Sequence, residues 1–287
     1  MLYVFLSVCC SIVVSVLLKL ARRYSIHIFQ AITWNYLMAI ALTWFFFKPQ
    51  LQTLQAPPVT LYVAVGVLLP LIFLIMASSV RIAGIVRTDV AQRLSLFIPL
   101  LAAFLWFGEP VTPLKIIGMV IGIAAILCSI PWQKQTANRK VVSNAWIYLV
   151  VVFCGYGAID ILFKQVAAFK AVPYTTSLFL IYILALLIAL SGLCYQVVSK
   201  KVRISWPHIM FGLILGVANF GNILFYLKAH QALSANPSVV FSAMNIGVIT
   251  AGAIVGLVVF KERLSLLNKI GIGLAIIAIV IITYAKH

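Results

Sequence analysis

The charged residues of the 287-residue chain are spaced so that they leave ten long uncharged stretches. The stretches are residues 1–18, 24–47, 49–80, 94–108, 116–133, 141–159, 171–199, 204–227, 229–260 and 270–285. Most approach or exceed the about 20 apolar residues that a helix needs to cross a hydrocarbon layer of about 30 Å. The pattern therefore predicts ten membrane-spanning helices, at about 2–20, 29–47, 59–79, 87–107, 113–130, 144–166, 174–196, 206–229, 237–260 and 265–284.

The composition agrees with a chain that lies in a membrane, since 64% of its residues are hydrophobic and only 9% are charged. A soluble domain of this size needs far more charge on its surface. A membrane β-barrel would show alternating segments of about 10 residues, whereas this chain has continuous apolar stretches. Ten helices of about 20 residues leave roughly 87 positions for loops and tails, too few for a soluble domain. The predicted fold is an all-α integral membrane protein.

The net charge of +17 comes from 21 Lys and Arg residues against 4 Asp and Glu. No nucleic-acid partner is predicted, because the basic residues are scattered over short loops without a stacking platform or groove motif. Fifteen of them flank the loops after predicted helices 1, 3, 5, 7 and 9, and 6 lie on the opposite side. Since basic loops stay in the cytoplasm, the side with fifteen is predicted to be cytoplasmic and both termini external. We expect a multi-pass protein of the plasma membrane, the inner membrane in bacteria, in contact with membrane lipids.

The two halves of the chain repeat each other. Eight of twenty residues are identical when residues 107–126 are aligned with residues 260–279, and Glu109 coincides with Glu262. A second similarity relates the segment that ends at Lys19 to the one that ends at Lys164. These matches predict a tandem duplication: a first five-helix repeat at 1–133, a connecting loop at 134–143 and a second five-helix repeat at 144–287.

An odd number of helices in each repeat makes the second copy enter the membrane from the opposite side. The two copies then form an inverted repeat. Inverted repeats are typical of secondary transporters, in which two equivalent bundles expose one site near the bilayer midplane to each side in turn.

The sequence resembles a known transporter family at the end of each repeat. Residues Ser95–Ile130 contain an apolar helix that ends in Phe107-Gly108-Glu109, a short turn with proline and a helix with glycine, and residues Val248–Tyr284 repeat this order. These segments resemble the end of an EamA-type repeat. Two such repeats cover the whole chain, which implies a ten-helix carrier of the drug/metabolite transporter superfamily.

One departure from the family pattern concerns a proline in the helix before each glutamate. This chain has Leu96 and Ile249 at those positions, and Pro99 lies three residues after Leu96. We therefore expect different helix geometry near the site.

Predicted helix 6 carries Tyr156, Asp160 and Lys164 at steps of four residues, so they share one helix face. An acidic residue this deep in a membrane is costly unless it is paired or functional. Asp160 is the leading candidate for a substrate contact or a proton site. The alternative is a structural ion pair between Asp160 and Lys164.

Predicted helix 8 carries Asn219, Asn222 and Tyr226 at spacings of three and four residues, again along one face. The three side chains are expected to line a polar cavity. The alternative is hydrogen bonding between helices that only stabilises the bundle.

The remaining candidates lie on three other predicted helices: Arg87, Asp89 and Gln92 on helix 4, Trp34 and Asn35 on helix 2, and Asn245 on helix 9. On helix 4, Asp89 is a second coupling candidate beside Asp160 and Lys164. Arg87 and Gln92 are candidates to bind a substrate anion, with lipid phosphates as the alternative.

Several residues have a predicted structural role. Asn236 and Pro237 favour a helix start at that point. Glu109 and Glu262 each precede a helix, and a carboxylate there suits the positive end of the helix dipole. Gly118 and Gly122 on predicted helix 5, four residues apart, permit close helix contacts within the chain or between two copies.

These observations predict a secondary membrane transporter of a small polar metabolite, amino-acid-like or anionic, that works by alternating access. The alternatives are a channel or membrane scaffold and, with less support, a membrane enzyme that acts on lipids. No nucleophile, acid pair or metal set for such an enzyme is apparent, so neither enzymatic activity nor a cofactor or metal is predicted. The chain lacks an ATP-binding loop of the form G-x-x-x-x-G-K-[ST], so coupling to protons or to a counter-substrate is expected. A monomer and a homodimer both remain open.

Overall fold

A computed structural model of the protein describes residues 1–49, 57–83, 85–129, 145–200, 202–258 and 266–284. Eleven α-helices and no strands occur within these ranges. They are α1 (Leu2–Arg23), α2 (Ile28–Phe47), α3 (Val59–Ile82), α4 (Ile85–Leu94), α5 (Phe97–Leu105), α6 (Pro113–Ser129), α7 (Ala145–Ala168), α8 (Tyr174–Lys200), α9 (Trp206–Ala232), α10 (Pro237–Val258) and α11 (Leu266–Tyr284).

Six of the helices, α2, α3, α7, α8, α9 and α10, are long and apolar enough to cross a membrane. Four further apolar helical segments are shorter: Leu2–Leu18, Val90–Leu105, Pro113–Cys128 and Lys269–Ile282. The outer surface exposes large apolar side chains such as Leu105 and Phe45, at 85% and 74% of their area. Water-soluble proteins rarely expose large contiguous apolar patches. The chain is therefore an all-helical integral membrane protein, as its sequence predicts.

The prediction of one continuous helix at 87–107 is wrong, because the chain turns at Ser95 and Leu96 between α4 and α5. Pro99 explains the break. A proline inside a helix has no N–H to donate and its ring clashes with the carbonyl four residues earlier, which here belongs to Ser95. The Ser95 carbonyl instead accepts a hydrogen bond from Ile98 N, at 3.0 Å.

Two glycines set the distance between α2 and α9. A Cβ atom added to Gly212 would lie 2.7 Å from the carbonyl oxygen of Ala31, and one added to Gly216 would lie 2.7 Å from that of Asn35. A real Cβ does not approach an oxygen so closely, so the two backbones can meet only because these residues are glycine. Gly212 and Gly216 therefore mark a close contact between α9 and α2.

Helices α6 and α11 pack along each other at the side of the bundle. A Cβ added to Gly118 would lie 2.6 Å from the Ile282 side chain, and one added to Gly122 would lie 3.7 Å from Ala278 Cβ. Ala275 and Ala278 are completely buried on α11. These small residues therefore face contacts within the chain.

Candidate functional site

The centre of the site is a hydrogen bond between α7 and α9. The Tyr226 hydroxyl donates to Asp160 Oδ1 over 2.8 Å. Tyr226 is 6% exposed and Asp160 is half-buried, in the middle of a helix that is long and apolar enough to span the membrane. An acidic group at this depth needs a polar partner, and the tyrosine hydroxyl supplies one. The structure thus brings together two of the predicted site residues.

Aromatic rings surround this hydrogen bond. The Tyr226 ring meets Phe163 edge to face with centroids 6.2 Å apart, and it meets His230 edge to face at 4.7 Å. His230 in turn lies 4.8 Å from Phe241 of α10. The His230 side chain is almost fully buried, and neither ring nitrogen has a hydrogen-bond partner among the described residues. Buried polar atoms nearly always have partners, so these nitrogens are available to a bound molecule.

Three further tyrosines lie on helices α7, α2 and α8. Tyr156 lies one helical turn from Asp160, and its hydroxyl donates to Met76 Sδ over 2.8 Å. On neighbouring helices, the ring centroid of Tyr36 of α2 lies 6.5 Å from that of Tyr182 of α8. The hydroxyls of Tyr36 and Tyr182 are buried without a partner among the described residues.

These polar side chains lie on the spanning helices of the bundle, and we call them together the polar column. Its members are Tyr182, Tyr36, Tyr156, Asp160, Tyr226 and His230. Four helices contribute to it: α2, α7, α8 and α9. The column offers one carboxylate, four hydroxyls and one imidazole, a set that can bind a small polar molecule by hydrogen bonds and charge.

Lys164 does not form the ion pair with Asp160 that the helical spacing allows. Its side chain is buried at 4% exposure, and its ammonium donates to the carbonyl oxygen of Ser234 over 2.9 Å. The carbonyl lies in the turn between α9 and α10, beyond the end of the polar column. The ion-pair alternative is therefore wrong for this structure, because Asp160 is bonded to Tyr226 instead.

The asparagines of α9 differ in their surroundings. Asn222 Oδ1 accepts a hydrogen bond of 2.9 Å from Ser7 Oγ of α1, which is the predicted alternative of bonding between helices. The Ser7 hydroxyl also lies 2.8 Å from the Asn222 carbonyl oxygen. Asn219, one turn earlier, is buried at 6% exposure.

The candidates on α2 and α10 make no hydrogen bond to Asp160 or Tyr226 among the described residues. Trp34 packs its Cβ against Gly212, and its indole nitrogen is buried without a partner among the described residues. Asn35 precedes Tyr36 and is 2% exposed, with its Oδ1 also unpartnered there. Asn245 donates to the Phe241 carbonyl in its own helix, over 3.0 Å. Of this group, Asn35 is the sequence neighbour of a polar-column residue, Tyr36.

The candidates on predicted helix 4 are only partly described. Arg87 and Asp89 lie on α4, and their side chains are outside the described part of the structure. Gln92 is half-buried, and its carbonyl accepts a hydrogen bond from Ser95 Oγ over 2.6 Å. Glu262, the counterpart of Glu109 in the repeat, also lies outside the described residues.

The first turn of α2 is bonded to the segment just before α9. Gln30 Nε2 donates to the Arg203 carbonyl over 2.9 Å, and Gln30 Oε1 accepts from Ser205 N over 3.3 Å. His27 lies nearby, with its ring centroid 6.4 Å from that of His208. Burial, and then the neighbouring His208, lower the pKa of His27 below its usual range, so its ring is neutral at pH 7. Gln30 has a structural role here.

Glu109 has a structural contact different from the predicted one. The sequence predicts that its carboxylate interacts with the start of α6, the helix that follows it. In the structure the carboxylate accepts hydrogen bonds from Ser238 at the start of α10. The α10 start at Pro237 is confirmed. Glu109 and Ser238 are 129 positions apart. No local sequence signal reveals a contact across that distance.

His230, Tyr36 and Tyr182 are site residues that sequence reasoning did not assign. The two tyrosines lie in predicted spans where aromatic residues are common. They are identified as candidates because their hydroxyls are buried and have no hydrogen-bond partner among the described residues. This property is visible only in the structure. Among the described residues, no group of three or more His, Cys, Asp or Glu is positioned to hold a metal ion.

The chain is similar to a protein of known structure and to a relative in sequence, whereas no family model matches the sequence. A protein of known crystal structure superposes with a TM-score of 0.73 at 15% sequence identity, over 99% of this chain and 96% of that one. At that identity the similarity shows a shared fold. An uncharacterized protein of Haemophilus influenzae is 44% identical over 288 aligned positions, which cover 97% of this chain and 96% of the relative. The chain therefore belongs to the same family as this Haemophilus influenzae protein.

Proposed function

We propose that the protein is a secondary transporter of a small polar metabolite, built from two inverted five-helix repeats in the plasma membrane. The carrying observation is the polar column around Asp160, a set of buried and half-buried polar groups inside an apolar helical bundle. Polar and ionisable groups in the middle of a membrane protein are costly and mark a substrate or ion pathway.

The count of apolar helices supports ten spans. Six helices are long enough by themselves, and four shorter apolar segments complete the number. In this assignment α4 and α5 form one interrupted span. Interrupted helices beside a binding site are a recurring feature of secondary transporters.

The helix pairing supports an inverted repeat. Exchange of the two halves relates α1 to α7, α2 to α8, α3 to α9, α4 and α5 to α10, and α6 to α11. Helix α1 packs against α9 and, under the exchange, α7 packs against α3. Likewise α2 packs against α9 as α8 does against α3, and α1 packs against α10 as α7 does against α4 and α5. The pairs α2 with α8, α6 with α11, and α5 with α10 are their own counterparts.

This arrangement favours a carrier over a channel. The two halves interleave, and each presents equivalent surfaces to the other, so they are suited to rocking around a central site. A channel or scaffold needs neither the duplication nor the exchange of partners. The resemblance of the repeat ends to EamA-type carriers supports the same assignment to the drug/metabolite transporter superfamily.

The chemistry of the polar column favours an amino-acid-like substrate, with an anionic metabolite as the alternative. Asp160 can accept hydrogen bonds from a substrate ammonium, and the free His230 nitrogens can bond a polar oxygen or N–H group. Asp160 is also the group best suited to carry a coupling proton, since a carboxylate with one hydroxyl partner can exist in both protonation states. Exchange against a counter-substrate remains the alternative mode of coupling. We propose no enzymatic activity and leave the monomer and the homodimer as outcomes of experiment.

The test begins with the purified protein in detergent and a library of amino acids, organic acids and amines. A compound that binds only the folded state raises the unfolding temperature, and the rise grows as its concentration exceeds its dissociation constant. We expect at least one amino acid or organic acid to do so. That compound should then enter proteoliposomes without ATP, driven by its own gradient or by a pH gradient. Failure of every stabilising compound to cross the membrane would reject the proposal.

A further inference from the structure

The turn between α5 and α6 is bonded to the first turn of α10. Glu109 Oε2 accepts a hydrogen bond from Ser238 N over 2.8 Å, and Glu109 Oε1 accepts one from Ser238 Oγ over 2.5 Å. Both residues are buried, at 4% and 2% exposure. Gly108 makes this approach feasible, because its φ of +64° turns the chain after α5 in a direction that other residues rarely adopt.

Lys115 neutralises the buried carboxylate and extends the contact. Its ammonium lies 2.9 Å from Glu109 Oε1 and donates to Asn236 Oδ1 over 2.9 Å. It also donates to the Pro110 carbonyl over 3.3 Å. A buried charge pair with further hydrogen bonds is sensitive to the loss of either partner, since the remaining charge would lie unpaired in dry surroundings.

A second lysine joins the same end of the bundle. Lys164 of α7 donates to the carbonyl of Ser234, two residues before Asn236. Its ammonium also lies 6.0 Å from the centroid of the Phe107 ring, at the start of the α5–α6 turn. Three segments therefore meet here: the α5–α6 turn, the end of α7 and the α9–α10 turn.

The contact crosses the boundary between the two proposed repeats. Glu109 and Lys115 belong to the first half of the chain, and Asn236 and Ser238 belong to the second. Further along α10, Phe241 touches His230 of the polar column. The contact thus lies at the end of the bundle where α5 stops and α10 starts, three residues along α10 from the side chain that meets the polar column.

We propose that Glu109, Lys115, Asn236 and Ser238 form a latch between the repeats, which closes this end of the polar column and must open before the column meets water on this side. The inference rests on the proposed transport function, because alternating access requires the halves to separate at one face at a time. The charge asymmetry of the loops predicts that this face is external. A buried bond between charged groups suits such a latch, because it is strong when water is excluded and weak once water enters.

The test measures access of water to Ser242, one turn along α10 from Ser238. Ser242 is 1% exposed and its hydroxyl has no partner among the described residues. Ser242→Cys is therefore a conservative substitution, and its thiol reports the access of water to this position. The reporter is placed in a full-length chain whose five native cysteines are changed to serine. Its rate of modification by a membrane-impermeant methanethiosulfonate is measured from the outside of intact cells and, in inverted vesicles, from the inside.

Glu109→Gln keeps the shape of the side chain and removes its charge. We expect it to raise the rate of external modification roughly tenfold or more, the change in population that the loss of one buried charge-assisted bond implies. Lys170→Gln is the matched control, because Lys170 is an exposed lysine in the α7–α8 turn at the same end of the bundle. The control should leave the rate unchanged within about twofold, since exposed charges contribute little.

Two results would overturn the latch. One is an unchanged external rate in Glu109→Gln, which would make the contact a permanent structural bond. The other is an equal rise from both sides, which would indicate a bundle that has loosened as a whole. If Glu109→Gln does not reach the membrane, Ser238→Ala decides by the same criteria, because it removes only one of the two bonds to Glu109.

The readout needs no substrate, so it is separate from the test of transport. External opening in Glu109→Gln supports the latch even if no compound is found to cross the membrane. Transport without any change in accessibility would instead keep the proposed function and reject the latch.

Discussion

Tyr226 Oη lies 2.8 Å from Asp160 Oδ1, so a hydroxyl on α9 bonds a carboxylate on α7 inside the bundle. The same tyrosine ring meets His230 on one side and Phe163 on the other. Tyr226 therefore holds the carboxylate in place through its hydroxyl and forms part of the aromatic surroundings through its ring. The two roles can be separated by mutation.

Tyr226→Phe removes the hydroxyl and keeps the ring contacts with Phe163 and His230. The variant is expected to fold and enter the membrane, with a loss of about 1–3 kcal/mol in unfolding free energy, because Asp160 loses its hydrogen-bond donor. Transport should fall more steeply than stability. Thermal unfolding in detergent and uptake into proteoliposomes measure the two effects. Uptake at the wild-type rate would show that the hydroxyl has only a structural role.

Asp160 and Lys164 are expected to act independently, since each bonds a different partner. A double-mutant cycle with Asp160→Asn and Lys164→Met should give stability changes that add within about 0.5 kcal/mol. A structural ion pair would behave differently, because the second neutralisation would then recover much of the stability lost in the first. Recovery of more than about 1 kcal/mol in the double variant would restore the ion-pair hypothesis.

The glycine contacts between α2 and α9 give a matched pair of substitutions. Gly216→Ala places a Cβ against the Asn35 carbonyl and the Met38 side chain, and should lower the unfolding free energy by about 1–3 kcal/mol. Gly273→Ala meets no atom within 4 Å, and should be neutral or stabilising by up to about 1 kcal/mol, because alanine favours the helix. Unfolding temperatures of the two variants, measured side by side, check the difference. Equal effects would mean that close packing at Gly216 contributes nothing.

The orientation predicted from the loop charges is tested with two exposed positions at opposite ends of the bundle. Tyr24→Cys lies after α1 and should react with an impermeant thiol reagent only in inverted vesicles. Ala171→Cys lies between α7 and α8 and should react in intact cells. Modification of Tyr24→Cys from outside intact cells would reverse the assigned orientation.

The hydrophobic pattern predicts most of this fold, because length and apolar composition alone decide which segments can form spanning helices. The start of α10 at Pro237 and the close approach at Gly212 and Gly216 follow from single residues with restricted or permissive backbones. The break at Ser95 does not follow from the hydrophobic pattern, because the apolar sequence continues on both sides of it. Pro99 alone indicates altered helix geometry, and it does not fix where the helix ends.

The site could be predicted only in part. Helical spacing identifies Tyr156, Asp160 and Lys164 as one face of α7, and it leaves open which partner each of them finds. Asp160 bonds a residue 66 positions away, and Lys164 bonds one 70 positions away. Such partners depend on how the helices are arranged in space, which no local pattern encodes. For the same reason the sequence places Glu109 at the helix that follows it, whereas in the structure its carboxylate bonds the start of α10.

The most direct test is net uptake, driven by the compound's own gradient or by a pH gradient, into proteoliposomes that contain either the wild-type protein or Asp160→Asn, with a compound that raises the unfolding temperature of the wild type. Asn keeps the shape of Asp160 and removes its charge, so membrane insertion and folding serve as controls. We predict that the wild type accumulates labelled compound without ATP, and that Asp160→Asn accumulates no more than empty liposomes do. Accumulation by Asp160→Asn at the wild-type rate would contradict this prediction.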